Sequence, residues 1–395
     1  SGVSTGSQVL NLVTFVVTQL AMGITVLIAR YLGEKREDQI GSIIGGGTVV
    51  FAAISLVLFV IMVGFARPIA VLMQAPEEAV GLTAAYIRIC GAGIFFIVAY
   101  NVLSAIFRGL GDSNSPLLFV FVACIVNVVG DLVLVAGLGM DAMGAALATV
   151  FAQALSVVFA IVRLVKKGLP FTITGYDFRW NPQCGKFLQI GLPLALQECL
   201  TQGSFLALCA FVNRLGLEAS SGYGVACKIV NFAMLIPSAL MQSTSSFVSQ
   251  NVGAGEQKRA KKTMFTGIGI GLLVGCFAFS LVFFRGDLLA GIFSADAAVV
   301  QRGYEYLKGF APETLLTAVL FSMMGYFNGN GKTVWVMLQG LIQTLLVRLP
   351  FAYYMSIQPD ASLTNIGLAA PISTAVGIVL NVAFFLYLEH AAKRS

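Results

Sequence analysis

Long apolar stretches separated by short polar connections run through the whole chain. Most stretches are about 20 to 28 residues long, the length that an α-helix needs to cross a hydrocarbon core of ~30 Å. They are much longer than the alternating segments of about ten residues that are typical of a membrane β-barrel. The pattern predicts eleven membrane-spanning helices, at residues 4–29, 40–66, 82–107, 115–137, 141–165, 184–213, 221–247, 263–284, 302–327, 333–356 and 364–390.

Composition and charge agree with this interpretation. The chain is 58% hydrophobic and 11% charged, whereas soluble domains carry about 25% charged residues. Most basic residues lie in every second connection: Arg30, Lys35, Arg36, Arg108, Arg163, Lys166, Lys167, Arg179, Lys186, Lys258, Arg259, Lys261, Lys262, Lys332, Lys393 and Arg394. The positive-inside rule places these connections and the C-terminus in the cytoplasm. The net charge of +6 therefore does not require a nucleic-acid partner.

The chain also matches itself when it is shifted by 220 residues. Phe107-Arg-Gly-Leu-Gly111 then falls on Phe327-Asn-Gly-Asn-Gly331, and Tyr86 falls on Tyr306, without a gap up to about residue 118. A duplicated half in so apolar a chain is typical of transporters that are built from two membrane lobes. Both glycine-rich segments lack the Lys-Ser/Thr of a phosphate-binding loop, so we predict tight turns there.

The repeat sets the predicted architecture. Six spans per half is an even number, so the two lobes are related by a pseudo-twofold axis along the membrane normal. The second half opens with the span at 184–213, whose counterpart would precede Ser1. We therefore expect a twelve-span parent protein whose first helix lies outside this numbering. The predicted domains are an N-terminal lobe at 1–166 with five of its six helices, a cytoplasmic linker at 167–183 and a six-helix C-terminal lobe at 184–395.

The histidine and cysteine content argues against an enzyme. His390 is the only histidine and lies at the tail, which excludes a histidine-ligated metal site and a Ser-His-Asp triad. The seven cysteines contain no Cys-x-x-Cys pair, and six lie in apolar stretches, as small buried residues do. We expect neither enzymatic activity nor a cofactor.

An ordered set of short motifs gives a more specific indication. They are Ala29-Arg-Tyr-Leu-Gly33, Gln74-Ala-Pro-Glu-Glu78, Tyr86-Ile-Arg88, Phe107-Arg-Gly-Leu-Gly-Asp112, Asn127 to Asp131, Gly144-Ala-Ala-Leu-Ala-Thr149, Gly191-Leu-Pro193 and Gln250-Asn-Val-Gly-Ala-Gly255. In order and spacing, over the whole chain, this set resembles the multidrug and toxic compound extrusion (MATE) transporters of bacterial type. The resemblance implies a twelve-helix, two-lobe antiporter that expels organic cations and other amphipathic compounds in exchange for Na⁺ or H⁺.

Asp131 is the most informative single residue, because it lies inside an apolar span. Such a charge costs about 2.5 to 3.5 kcal/mol at the bilayer centre, so it normally faces a cavity or a partner. Asn127 lies one helical turn earlier on the same face and offers a carbonyl oxygen. The resemblance adds Thr149 on the next span and Tyr86 to this site for Na⁺ or a proton, together with an Asp on the family's first helix. The alternative is helix packing through polar hydrogen bonds.

Three polar residues are the candidates in the second half. Glu198 follows Pro193 within an apolar span, and Glu313 follows Pro312. Either acid is a candidate for ion coupling or substrate binding; for Glu198 the alternative is a structural pairing with Arg348. Arg348 lies where the repeat places the region of Asn127, and we expect it to bind an acid or helix-end carbonyls, since it repels cations. Sodium-type family members carry a further acid one turn beyond Glu198, where this chain has Thr201 and Gln202.

The predicted function is cation-coupled efflux of small amphipathic or cationic compounds by alternating access of the two lobes. The expected partners are these compounds and the lipid bilayer, and we expect a monomer in the bacterial cytoplasmic membrane. A flippase for lipid-linked saccharides is the alternative, although such a cavity would need several basic residues within the spans. The sequence does not decide between Na⁺ and H⁺.

Overall fold

A computed structural model describes residues 2–169 and 171–395. Ser1, and Pro170 in the predicted linker, lie outside these described residues. The first half contains α1 (Gly2–Gly33), α2 (Asp38–Gly64), α3 (Ala66–Leu72), α4 (Val80–Ala92), α5 (Ile94–Gly109), α6 (Asn114–Asp131), which continues as a π-helical turn (Leu132–Gly137), and α7 (Asp141–Lys166). Short 3₁₀ turns at Glu77–Ala79 and Gly175–Asp177 complete it.

The second half repeats this order. After α8 (Pro182–Asn213) come α9 (Leu217–Ala233), α10 (Leu235–Gly253), α11 (Gln257–Phe293), α12 (Ala297–Phe310), α13 (Glu313–Gly329), α14 (Thr333–Leu341) with a π-helical segment (Ile342–Arg348), α15 (Leu349–Ser356), α16 (Leu363–Gly367) and α17 (Ala369–Arg394).

The described residues form eleven candidate membrane spans. Nine continuous helical segments are long and apolar enough to cross a bilayer, and two bent pairs complete the eleven. The bends are 56° between α4 and α5 and 48° between α12 and α13. The structure therefore confirms the all-α fold class and the eleven spans of the sequence analysis.

Prolines account for several breaks in the second half. Pro312 separates α12 from α13, and Pro350 lies at the first positions of α15. Proline lacks the N–H that would continue the helical ladder and clashes with the preceding turn, so it favours a helix start. Pro193 is the exception, since α8 runs through it without ending.

The chain forms two compact units, residues 1–195 and 196–395. The first half of α8 belongs to the first unit, because glycines let its backbone approach α1 closely. A Cβ at Gly191 would overlap the carbonyl oxygen of Leu20, and one at Gly23 would overlap that of Phe187. Phe187 also stacks on Phe51 of α2, with 6.5 Å between ring centroids.

The repeated glycine-rich turns have the same geometry in both units. Gly111 and Gly331 adopt φ values of 83° and 77°, a left-handed conformation that glycine tolerates best. The following amides close the turns, from Asp112 to the Phe107 oxygen at 2.9 Å and from Lys332 to the Phe327 oxygen at 2.8 Å. The prediction of tight turns is confirmed.

In the first unit this turn is tied to the end of α7. Lys167 Nζ lies 2.6 Å from Asp112 Oδ2, and the Ser115 amide donates to Asp112 Oδ1 at 3.0 Å. Arg163 Nε in turn donates to the Ser115 hydroxyl at 2.6 Å. Burial opposes ionisation of Asp112, but the hydrogen bonds from Lys167 and Ser115 outweigh it and lower the pKa of this carboxyl from 3.8 to about 2.

Candidate cation site

Asp131 is the last residue of α6, directly before the π-helical turn. Its Oδ1 is buried and has no hydrogen-bond partner within the described part of the chain. The side chain lines a cavity of about 700 Å³ in the first unit. The other lining residues are Val3, Leu82, Val128, Leu132, Val135, Ala136, Asp141, Ala142 and Ala145. Apart from the two aspartates the lining is apolar, so the carboxylate is a strong electrostatic attractor for any cation that enters.

Asn127 of α6 and Thr149 of α7 meet between these two helices. Asn127 Nδ2 lies 3.5 Å from Thr149 Oγ1, and the Thr149 hydroxyl donates to the Ala145 carbonyl at 3.0 Å. Since the amide nitrogen of Asn127 is turned to Thr149, its carbonyl oxygen is left as an acceptor. The structure thus brings these two predicted residues together, and among the described residues no hydrogen bond joins either of them to Asp131.

Tyr86 of α4 contacts both α1 and α7. It is 4% exposed, it interacts with Thr149, and Ser7 Oγ donates to its hydroxyl at 3.2 Å. A Cβ at Gly6 would overlap the Tyr86 ring, so α1 can approach this tyrosine only through a glycine. Tyr86 therefore positions α1 against α4 and α7 beside the candidate site.

The sequence analysis missed Asp141 and Ser7. Asp141 lines the same cavity as Asp131 and holds φ = 50°, which is uncommon for a residue other than glycine. An acid at a helix start indicates only a favourable interaction with the helix dipole, so nothing in the local pattern distinguishes Asp141 as a site residue. Ser7 is one of many small residues in α1, and its contact with Tyr86 spans 79 positions.

In the second unit, Glu313 lies at the end of a chain of hydrogen bonds. Thr374 Oγ1 donates to Glu313 Oε1 at 2.7 Å, Gln343 Nε2 donates to Thr374 at 3.3 Å, and Gln339 donates to Gln343. Every donor in the chain points toward the carboxylate. Glu313 is only 5% exposed, and its Oε2 has no partner among the described residues.

Arg348 and Glu198 have separate partners. Arg348 Nε donates to Ser373 Oγ at 3.2 Å, and Glu198 accepts from Gln202 at 2.8 Å. Arg348 is the charged neighbour of Glu313. No ion pair joins Arg348 to Glu198 in the residues that the structure covers, so the structure does not support the pairing that the sequence analysis considered for Glu198.

Within the described ranges, no group of three or more histidine, cysteine, aspartate or glutamate side chains is placed to hold a metal ion. A cation at Asp131 would therefore be bound by one carboxylate with amide, hydroxyl or backbone oxygens, a set that suits Na⁺ or a proton better than a transition metal.

Comparisons with known proteins give the chain its family. The MatE family profile matches residues 1–133 and 193–354. The probable multidrug resistance protein YpnP of Bacillus subtilis is 27% identical over 72% of this chain, and the match spans 64% of that relative. Multidrug export protein MepA of Staphylococcus aureus (strain NCTC 8325 / PS 47) is 26% identical over 81% of this chain and 72% of its own length.

Solved structures share the fold. An outward-facing multidrug resistance MATE family transporter of the MOP superfamily superposes with a TM-score of 0.94 at 20% identity, over 100% of this chain and 88% of that one. A MOP superfamily transporter from Pyrococcus furiosus gives 0.92 at 21% identity, over 100% and 88%. The profile match covers more than half of the sequence, and the chain is a multi-pass membrane protein that belongs to the MatE family, as its motifs indicate.

Proposed function

We propose that this protein exports amphipathic organic cations across the bacterial cytoplasmic membrane in exchange for Na⁺ or H⁺. The observation that carries the proposal is the Asp131 carboxylate, whose buried Oδ1 has no partner among the described residues and which lines an apolar cavity of about 700 Å³. The names of the relatives YpnP and MepA, which refer to multidrug resistance and export, support the same activity.

The coupling follows from the cost of an isolated charge in apolar surroundings. An unpaired carboxylate there is neutralised by a proton, by Na⁺ or by an organic cation. Because one carboxylate balances one positive charge, the coupling ion and the substrate compete for it. Release of one on binding of the other is the exchange that antiport requires.

Three residues assist Asp131 in this proposal. Asn127 supplies its carbonyl oxygen as a ligand, and Thr149 holds the Asn127 amide in the orientation that frees this oxygen. Tyr86 is a positioning residue, because it packs α1 and α4 beside the site. Apolar lining with few polar groups suits substrates of varied shape.

The second unit contributes a different kind of acid. Glu313 is buried, accepts from Thr374 and has Arg348 as a charged neighbour, so we assign it to the conformational stability of that unit or to proton binding. Glu198 is the second candidate for substrate contact, since Gln202 is its only hydrogen-bond partner among the described residues. The distribution of basic residues supports a cytoplasmic C-terminus, and we expect the protein to act as a monomer.

Transport in liposomes tests the proposal. Export of a fluorescent cationic dye is measured under an imposed Na⁺ gradient and, separately, under a pH gradient, for the unchanged protein and for Asp131→Asn. We expect one gradient to drive export and Asp131→Asn to reduce the driven rate at least tenfold. Lys332→Asn, at a turn of the second unit that is not part of the cavity lining, is the matched control and should transport normally. Gradient-driven export that survives in Asp131→Asn would refute the role of this carboxylate.

A further inference from the structure

The segment between α7 and α8 is held firmly against the start of α2. We call residues 171–181 the strap. Asp177 Oδ2 accepts from the Thr174 amide at 3.0 Å, and the Ser42 hydroxyl of α2 lies 3.4 Å from Asp177 Oδ1. Asn181 Nδ2 donates to the Ser42 carbonyl oxygen at 3.0 Å. The strap is therefore bound to α2 at Asp177 and again at Asn181, near its end.

Glycines of α2 allow this close approach. A Cβ at Gly41 would lie 2.7 Å from the Thr172 oxygen, and one at Gly45 would overlap the backbone of Asp177. Gly41 and Gly45 are one helical turn apart and belong to the first two turns of α2. The strap thus lies along the first turns of α2. The distribution of basic residues assigns this end of α2 to the cytoplasmic side.

The outward side of the strap is aromatic. Tyr176, Phe178 and Trp180 are 73%, 46% and 63% exposed, and they alternate with Asp177, which faces α2, and with Arg179. Large aromatic side chains exposed on a segment that is fixed by hydrogen bonds indicate an environment other than water on that side.

The position of the strap on α2 identifies this environment. Gly41 and Gly45 lie on the same helical stripe as Ala52 and Leu56. Leu56 and Val60, which are one helical turn apart, are 56% and 54% exposed. An exposed apolar stripe on a membrane span faces hydrocarbon. The strap covers the cytoplasmic end of this stripe, so its aromatic side chains lie where the bilayer interface begins.

The charges nearby favour anionic lipids. The Arg179 guanidinium lies 4.0 Å from the centroid of the Tyr176 ring, and Lys166 precedes the strap at the exposed end of α7. The next residue, Lys167, is paired with Asp112. Asp177 is turned inward, and the exposed Asp38 at the start of α2 accepts from Gln39. Anionic headgroups of the cytoplasmic leaflet attract such exposed basic residues.

We propose that the strap is a binding site for anionic phospholipids of the cytoplasmic leaflet, in which Tyr176, Phe178 and Trp180 insert at the interface and Arg179 with Lys166 contacts the phosphate. Tryptophan and tyrosine are enriched at this depth because their rings are amphipathic. The inference concerns a lipid site that is separate from the cation site and does not depend on what the protein transports.

The two tryptophans of the chain make a direct test available. Trp335 stacks on Phe384 at 4.3 Å and donates to Asn381 Oδ1 at 2.9 Å. Trp335→Phe leaves the exposed Trp180 as the single tryptophan. This variant is reconstituted in vesicles of phosphatidylcholine alone or mixed with phosphatidylglycerol, with bromine on shallow acyl carbons. We expect brominated lipid to quench Trp180 at least twofold more than acrylamide does, and more strongly in the phosphatidylglycerol vesicles.

Charge variants separate lipid recognition from simple proximity. Arg179→Gln with Lys166→Gln should abolish the difference between the two lipid mixtures while leaving quenching in phosphatidylcholine in place. Trp180→Phe, with Trp335 as reporter, checks that the fold is retained and should show the same emission in both mixtures. Trp180 emission at the wavelength of free indole with strong acrylamide quenching, or equal bromine quenching in both mixtures, would overturn the proposal.

Discussion

The two units carry their intramembrane acids in opposite ways. In the first, Asp131 faces a cavity and leaves Oδ1 without a partner within the described residues. In the second, Glu313 is 5% exposed, accepts from Thr374 and has Arg348 as a charged neighbour. The duplicated fold has therefore kept its helices but not its polar chemistry, and a cation has easier access to the first unit's acid than to the second's.

Alanine at each acid should separate the two roles most strongly. We expect Glu313→Ala to lower the free energy of unfolding by about 2 kcal/mol, because it leaves the buried Thr374 hydroxyl without its acceptor. Asp131→Ala should change stability by less than ~0.5 kcal/mol, because Asp131 Oδ1 has no hydrogen-bond partner among the described residues. Unfolding in mixed detergent micelles measures both variants. A larger loss for Asp131→Ala than for Glu313→Ala would reverse the comparison.

The two halves of α8 provide the next test. Gly191→Ala should cost about 2 kcal/mol, because its Cβ would overlap the Leu20 carbonyl and the backbones of α1 and α8 would have to separate. Gly203→Ala, in the half that belongs to the second unit, has no heavy atom within 4 Å of the new Cβ and should be neutral or slightly stabilising. Equal effects on unfolding in micelles would mean that α8 does not pack on α1 as described.

Periodic and repeated features could be predicted from the sequence. The eleven spans follow from the lengths of apolar stretches, and the turns at Gly111 and Gly331 from the glycines that repeat at the same shift. Asp131 was recognisable because a charge in an apolar span is costly. The apolar stretches and the buried charge are each visible in one segment of sequence, and the repeated turns need only a comparison of two segments.

Long-range contacts could not be predicted in this way. The chain from Gln339 through Gln343 and Thr374 to Glu313 joins three helices, and no single segment shows that these amides share one buried space. The bend between α4 and α5 was also missed, because hydropathy continues across it. The bend between α12 and α13 is marked in the sequence by Pro312.

The glycine-rich turns provide the test with the smallest expected effect. Their backbone shape is the same, but Asp112 in the first turn is acidic and Lys332 in the second is basic. Asp112 is bound by Lys167 and Ser115, whereas Lys332, at the corresponding position, forms no ion pair in the described residues. We expect Asp112→Asn to cost about 1 kcal/mol, because Lys167 is half exposed and such pairs contribute little, and Lys332→Asn to be neutral.

The acid dependence of this small effect follows from the lowered pKa of Asp112. A carboxyl whose pKa falls from 3.8 in the unfolded chain to about 2 in the folded protein stabilises the fold fully above about pH 4 and loses this contribution as the pH falls toward 2. The difference in unfolding free energy between the unchanged protein and Asp112→Asn should therefore shrink across that window, while Lys332→Asn shows no such change. A difference that stays constant down to pH 2 would mean that the Lys167 contact does not stabilise the ionised form of Asp112, and the charge of Asp112 would then contribute as little to stability as that of Lys332.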